Sequence, residues 1–218
     1  MTDTAGPFEF LTASYLVRIL EIKALNLAEL AEGLDKCSDA SIFYHTVQSL
    51  GRHHFLTQGF PNDFAQWILA ACNRAELAEQ LAILDVREYT SLAALRADLR
   101  RIIEDYCRER PLFATQQAFE EFPFCEAVEV TTPLGIQASS LREFYEALAK
   151  LSHASLHYHF ISSRLRLHLQ TNDFSYWVGN CLGLKSLASR INNVDIYTNS
   201  LDQLRSLLAN LIEPELNT

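Results

Sequence analysis

Seven histidines are the side chains of this sequence best suited to chemistry: His45, His53, His54, His153, His157, His159 and His168. Two of them recur in matching contexts, Ser41-Ile-Phe-Tyr-His45 and Ser155-Leu-His-Tyr-His159, offset by 114 residues. A second motif follows each: Asn62-Asp-Phe-Ala-Gln-Trp67 and Asn172-Asp-Phe-Ser-Tyr-Trp177, offset by 110. A helix carrying Tyr-His beside Asp63 or Asp173 would make a His–Asp pair, structural or proton-relaying. Such a pair is catalytic only beside a nucleophile or bound substrate. Ser41 and Ser155 stand four residues before their histidines on one helical face, which permits a Ser-His-Asp set. No Gly-x-Ser-x-Gly elbow accompanies it. The simpler account of the second motif is an Asn N-cap, an Asp near the positive end of the helix dipole, and Phe and Trp packed beneath. Asn62, Asp63, Trp67, Asn172, Asp173 and Trp177 are read as caps and packing, and no residue is assigned as catalytic.

Metal chemistry finds little support. His45 and His54 are nine residues apart, which puts them on opposite faces of one helix. His153 and His157 have chelating i,i+4 spacing, but Asp39 and Phe43 stand at their counterparts, so that site would belong to one half alone. There is no HExxH and no paired-cysteine spacing. With seven glycines there is no phosphate-cradling loop. Arg96, Arg100, Arg101 and Arg108 interleave with Asp98, Glu104 and Asp105, the pattern of a solvated helix face. No metal and no cofactor are expected. Tyr44, His45, Arg52, His54, Tyr158, His159, Arg164, Arg166 and His168 are the ligand-binding candidates. Arg and His donate to phosphate or carboxylate and aromatic rings stack, which suits an anionic or sugar-like ligand in a pocket between the repeats.

The motifs sit in a wider internal repeat. Leu92, Leu95, Arg96 and Leu99 match Leu201, Leu204, Arg205 and Leu208, and Leu27-Ala-Glu-Leu30 matches Leu141-Arg-Glu-Phe144. Residues 8–109 form one copy, 110–122 a connector and 123–213 the second copy. The fold expected is α+β and predominantly helical, a tandem duplication with pseudo-two-fold symmetry. Each copy is a short β-hairpin followed by about four helices. Glu126–Thr132 alternates, and Pro133-Leu-Gly135 reads as the turn of a hairpin running through Ala138. Phe8–Leu11 and Val17–Ile22 also alternate, while Thr12–Leu20 reads equally well as helix. Asn26 with Glu29 and Ser140 with Glu143 predict capping boxes, and Ser38 and Ser152 predict caps for the Tyr-His helices.

Composition bounds the rest. The 218 residues are 49% hydrophobic and 21% charged, enough for a buried core without disulfide or metal. The net charge of −9, spread over both halves, disfavours nucleic acid and anionic membrane surfaces. Met1–Phe8 has neither the basic nor the apolar region of a signal peptide. No apolar run reaches the roughly 18 residues of a membrane helix. Five widely spaced cysteines, Cys37, Cys72, Cys107, Cys125 and Cys181, read as reduced core thiols of a cytoplasmic protein.

Ser41-Ile-Phe-Tyr-His-Thr46, His54-Phe55, Pro61-Asn-Asp-Phe-Ala65 and Leu77-Ala-Glu79, in that order, resemble an uncharacterised bacterial and archaeal family known as a domain of unknown function. Tyr158-His159, Arg164-Leu-Arg-Leu167, Asn172-Asp-Phe-Ser175, Asp195 and Tyr197-Thr198 extend the resemblance over nearly the whole chain. The sequence departs from that pattern at Val47, where a second His of His-Thr-His is expected. Ser162 and Ser163 replace Glu-Ala, and Ile196 replaces Pro. The missing His and Glu weaken any metal or acid–base role. The resemblance implies a duplicated fold and no established activity. The function expected is a non-enzymatic interaction or regulatory module whose partner is another protein or itself. The alternatives are a small-molecule binding protein and a metal-dependent enzyme.

Overall fold

The computed structural model describes residues 6–48, 60–195 and 199–216. The protein is α+β and mainly helical. Its strands are β1 (Phe8–Ala24) and β2 (Phe122–Ala138), paired antiparallel in a two-stranded sheet. The expected short hairpins do not form. Residues 122–138 run as one strand through Pro133 and Gly135, with Gly135 taking a positive φ of 69° on the way. The turn signal is accommodated in an exposed stretch where no core packing enforces a reversal. Thr12–Leu20, open between helix and strand, is strand. Its β-branched and aromatic residues suit a pleated surface, and the partner strand takes up its main-chain groups.

The chain clusters into two compact units, Leu16–Val128 and Met1–Tyr15 with Glu129–Thr218. This spatial division falls inside both strands, between Tyr15 and Leu16 of β1 and between Val128 and Glu129 of β2. The start of β1 therefore packs in the unit that holds the second Tyr-His motif. The start of β2 packs in the unit that holds the first. The reason is visible in the apolar alternation: Phe8 and Phe10 are buried, as are Phe122 and Phe124, each pair supplying one strand face to a set of helices.

In the Leu16–Val128 unit, α1 (Leu27–Lys36) packs on α5 (Leu92–Glu109), and α3 (Asp63–Ala70) packs on α4 (Ala75–Ala82). α2 (Asp39–Phe43) leads directly into a π-helical turn, Tyr44–Gln48. α6 (Pro111–Ala114) occupies part of the expected connector. Phe124 lies so close to α1 that a Cβ on Gly33 would stand 2.5 Å from its Cζ, so glycine is required there.

In the other unit, α7 (Leu141–Leu148) and α8 (His153–His157) pack on α12 (Leu201–Ile212), and α10 (Asp173–Asn180) packs on α11 (Lys185–Asn192). Tyr158–Ser162 is again a π-helical turn, and α9 (Ser163–Arg166) follows it. Ser38, Ser152, Asn62 and Asn172 cap their helices as expected. The capping boxes at Asn26 and Ser140 are modified. Glu29 accepts from the Leu25 amide and Glu143 from the Ser139 amide, one residue before the cap. Reciprocal boxes form instead at Asn172–Ser175 and Ser200–Gln203.

Candidate functional site

His159 stands in the π-helical turn, where the wider coil carries its ring over the N-terminus of α10. Asn172 caps that helix, so Asp173 is its first residue and faces the ring. His159 Nδ1 lies 2.8 Å from Asp173 Oδ2, and the Leu11 amide donates to His159 Nε2 at 2.8 Å. An amide N–H can only donate. Nε2 is therefore the acceptor, and Nδ1 carries the hydrogen that goes to Asp173. Phe8 and Phe174 pack against the ring, at centroid distances of 4.9 and 5.5 Å. The Trp177 indole donates to the Gly6 carbonyl at 3.1 Å.

The other unit repeats these bonds. His45 Nδ1 lies 2.8 Å from Asp63 Oδ2, and the Cys125 amide donates to His45 Nε2 at 2.8 Å. Phe122 and Phe64 pack on the ring at 4.8 and 5.3 Å. Trp67 donates to the Glu120 carbonyl at 2.9 Å. Both histidines are at most 4% exposed. The two His–Asp pairs are thus present, and each is locked to a strand that lies some 80 to 150 positions away in sequence.

This bonding removes the Ser-His-Asp arrangement in the second motif. Ser155 Oγ donates to the Leu11 carbonyl at 2.6 Å rather than to the ring. Neither Nε2 has a lone pair left to take a proton or bind a metal. His153 and His157 do not converge on a common point. His153 Nε2 is 2.8 Å from Asp202 Oδ1, and His157 Nδ1 is 3.2 Å from the Tyr15 hydroxyl. Among the described residues no three His, Cys, Asp or Glu side chains gather as a metal set.

A cleft of about 390 Å³ opens beside His159 in the same unit. Tyr158, Arg166, Asp173, Tyr176, Trp177 and Asn180 line it opposite the Gly6–Leu11 segment. Its walls therefore come from stretches of chain about 150 residues apart, and the cleft lies inside one compact unit. Arg166 reaches Asp173 through two bonds, 2.9 Å to Oδ2 and 3.3 Å to Oδ1, and lies 5.1 Å over the Tyr158 ring. In the Leu16–Val128 unit Asp63, Gln66, Trp67 and Phe119 line a cleft of about 340 Å³.

Of the ligand candidates, Tyr158, His159 and Arg166 meet in the cleft beside His159. Tyr44 and His45 lie in the other unit, buried edge-to-face at 5.0 Å. Arg164 does not join the cleft. It is buried, and its guanidinium donates to the Asn192 carbonyl at 2.9 Å. His168 sits at a left-handed turn (φ 52°) that ends α9 and opens on an adjoining groove with Gln170 and Lys185, which shares Arg166, Tyr176 and Asn180 with the cleft. Arg52 and His54 lie outside the described residues.

Tyr176 and Asn180 belong to no candidate set read from the sequence. With Asp173 and Trp177 they occupy i, i+3, i+4 and i+7 of α10, a spacing that marks one helical face. Tyr15 was also missed. Its hydroxyl is 2.9 Å from Ser162 Oγ, and burial pushes its pKa up to about 12. Burial pushes the neighbouring His157 down to about 4, which keeps that ring neutral.

No helix among the described residues is long and apolar enough to cross a membrane. A family model described as a family of unknown function (DUF5752) matches residues 5–213. The solved structure of OrfY from Thermoproteus tenax is similar to this chain at 29% identity and a TM-score of 0.84. The match covers 99% of this chain and 98% of that one. No curated protein matches the sequence.

Proposed function

The chain belongs to this family of unknown function, DUF5752, and we propose that it is a non-enzymatic interaction or regulatory module. On this reading it arose by tandem duplication of a Tyr-His/Asn-Asp-Phe-x-x-Trp unit whose strands were then exchanged. One observation carries the proposal. In both His–Asp pairs Nε2 accepts from a main-chain amide, so the side chains best suited to acid–base or metal chemistry are used to fasten strands to helices. Matching bonds from Trp67 and Trp177 to carbonyls at Glu120 and Gly6 support the duplication, because tryptophans 110 apart meet carbonyls 114 apart, as the motif offsets require.

The partner in this reading is another protein or a second copy. Leu16, Val17 and Ile19 of β1 support it, being 65%, 56% and 65% exposed on a strand of a two-stranded sheet. Five free thiols fit a cytoplasmic setting. Native mass spectrometry of untagged protein from its own host tests the proposal. The expected species carries a second copy or another polypeptide, and none carries metal. A stoichiometric metal ion, or turnover lost on joint His45→Phe and His159→Phe replacement, would overturn it.

The cleft beside Arg166 favours a second reading, a small-molecule binding protein. Its volume falls in the range of roughly 300–1,000 Å³ that small-ligand sites occupy.

A further inference from the structure

We propose that the cleft between Gly6–Leu11 and α10 binds a neutral, hydroxyl-rich ring such as a pyranose, and disfavours anions. The inference rests on the non-enzymatic reading of the histidines and takes the small-molecule alternative to a chemical class.

Charge decides against an anion. The cleft itself is lined by one cation, Arg166, and two carboxylates, Glu9 and Asp173, while Lys185 lines only the adjoining groove. Arg166 already gives both terminal nitrogens to Asp173. A phosphate or carboxylate entering the cleft meets a neutralised guanidinium and an excess of negative charge. An ammonium group fares no better, because Asp173 Oδ2 already holds two donors, from His159 and Arg166.

A hydroxyl group fits what remains. It donates and accepts at once. The half-exposed guanidinium keeps N–H groups facing outward, and Asp173 Oδ1 receives only the longer 3.3 Å bond. Donor and acceptor thus lie side by side, fixed by the His159 and Tyr158 rings behind them. Adjacent hydroxyls on a ring present that alternation to a protein surface. Asn180, one turn beyond Tyr176, adds an amide with both capacities. The apolar part of the site is aromatic. Tyr176 is 43% exposed and presents its ring at the cleft, while Trp177 and Tyr158 are buried in the wall behind it. Rings of this kind pack against the C–H face of a sugar while the edge hydroxyls bond to the Arg–Asp fork.

The test is saturation-transfer NMR on the full chain with a panel of neutral mono- and disaccharides, each beside its phosphorylated analogue where one exists. Glucose with glucose 6-phosphate is the central pair. Millimolar or tighter binding of a neutral sugar is expected, with the phosphorylated partner weaker. Tyr176→Ala removes an exposed ring that makes no side-chain bond, and Arg166→Gln removes the fork. Each is expected to weaken binding about tenfold or more. Tyr176→Ala keeps the test valid if Arg166→Gln disturbs folding. No binding by any neutral sugar, tighter binding of glucose 6-phosphate, or affinity unchanged in both variants would overturn the inference. These outcomes leave the non-enzymatic reading standing. Chemical conversion of a sugar, visible in the same spectra, would overturn that reading instead.

Discussion

Replacing His159 by Phe keeps a ring in its aromatic nest and deletes two hydrogen bonds. The Leu11 amide loses its acceptor, and Asp173 keeps Arg166 but loses the imidazole donor. A buried donor left without a partner costs roughly 1–3 kcal/mol, and a hydrogen bond to a charged group contributes roughly 1.5–3. The Leu11 bond is only part-buried, so water can recover some of the first cost, and Phe is the more apolar ring. A net loss of about 2–3 kcal/mol is expected. Trp177 lies in the same unit, so urea unfolding followed by its fluorescence in a Trp67→Phe background reads that unit directly. The midpoint should fall with the urea dependence unchanged. Hydrogen exchange at the Leu11 amide should accelerate alongside it. A midpoint shift worth less than ~0.5 kcal/mol, or a Leu11 amide as protected as before, would refute the claim that the imidazole holds the strand.

Three other changes have definite expected outcomes. His157, held near a pKa of about 4 against an ordinary 6.5, takes its proton first in the unfolded chain. Its neutral burial is therefore fully tolerated above about pH 6.5 and costs stability as the pH falls toward 4, by about 2 kcal/mol once partial exposure is allowed for. His157→Phe, which keeps a ring in the site without a titrating nitrogen, should flatten that part of the stability–pH curve. An unchanged curve would contradict the burial argument. Gly33→Ala gains helix propensity of ~1 kcal/mol but drives a methyl into Phe124, and a net loss of about 1–3 kcal/mol in thermal or urea unfolding is expected. Phe10→Ala empties a fully buried site and should cost about 3–5 kcal/mol, with the Trp177 transition moving more than that of Trp67. The reverse order would show that Phe10 packs with the first Tyr-His motif.

Local features were legible because their causes are local. Asn62 and Asn172 are caps since a short amide side chain reaches the amide three residues on, whatever surrounds it. The same motif then placed Asp63 and Asp173 in the first helical turn, which left each His–Asp pair as a matter of one helix lying near another. The modified boxes at Asn26 and Ser140 show the limit of such signals. The pattern of residue types is satisfied, but the carboxylate chooses between two neighbouring amides by geometry that sequence does not encode.

The misread hairpin has a longer-range cause. The apolar face at Phe122–Cys125, on the edge of the expected connector, emerges only in the structure, while alternation marks Phe8–Leu11 as a strand with one apolar face by periodicity alone. It is silent on which helices receive that face. Both segments offer two phenylalanines at the same spacing, so either fits either set of helices. The continuous 17-residue strands, the Leu11 and Cys125 amides on His159 and His45, and the cleft walled by Gly6–Leu11 follow from that one choice. Sequence by itself determined the helices, their caps and apolar faces, and the matched motifs, because each depends on neighbours within a few residues. Only the tertiary structure decided which strand each histidine holds and where a ligand can enter, because partners 80 or more residues apart are selected by packing of the whole unit.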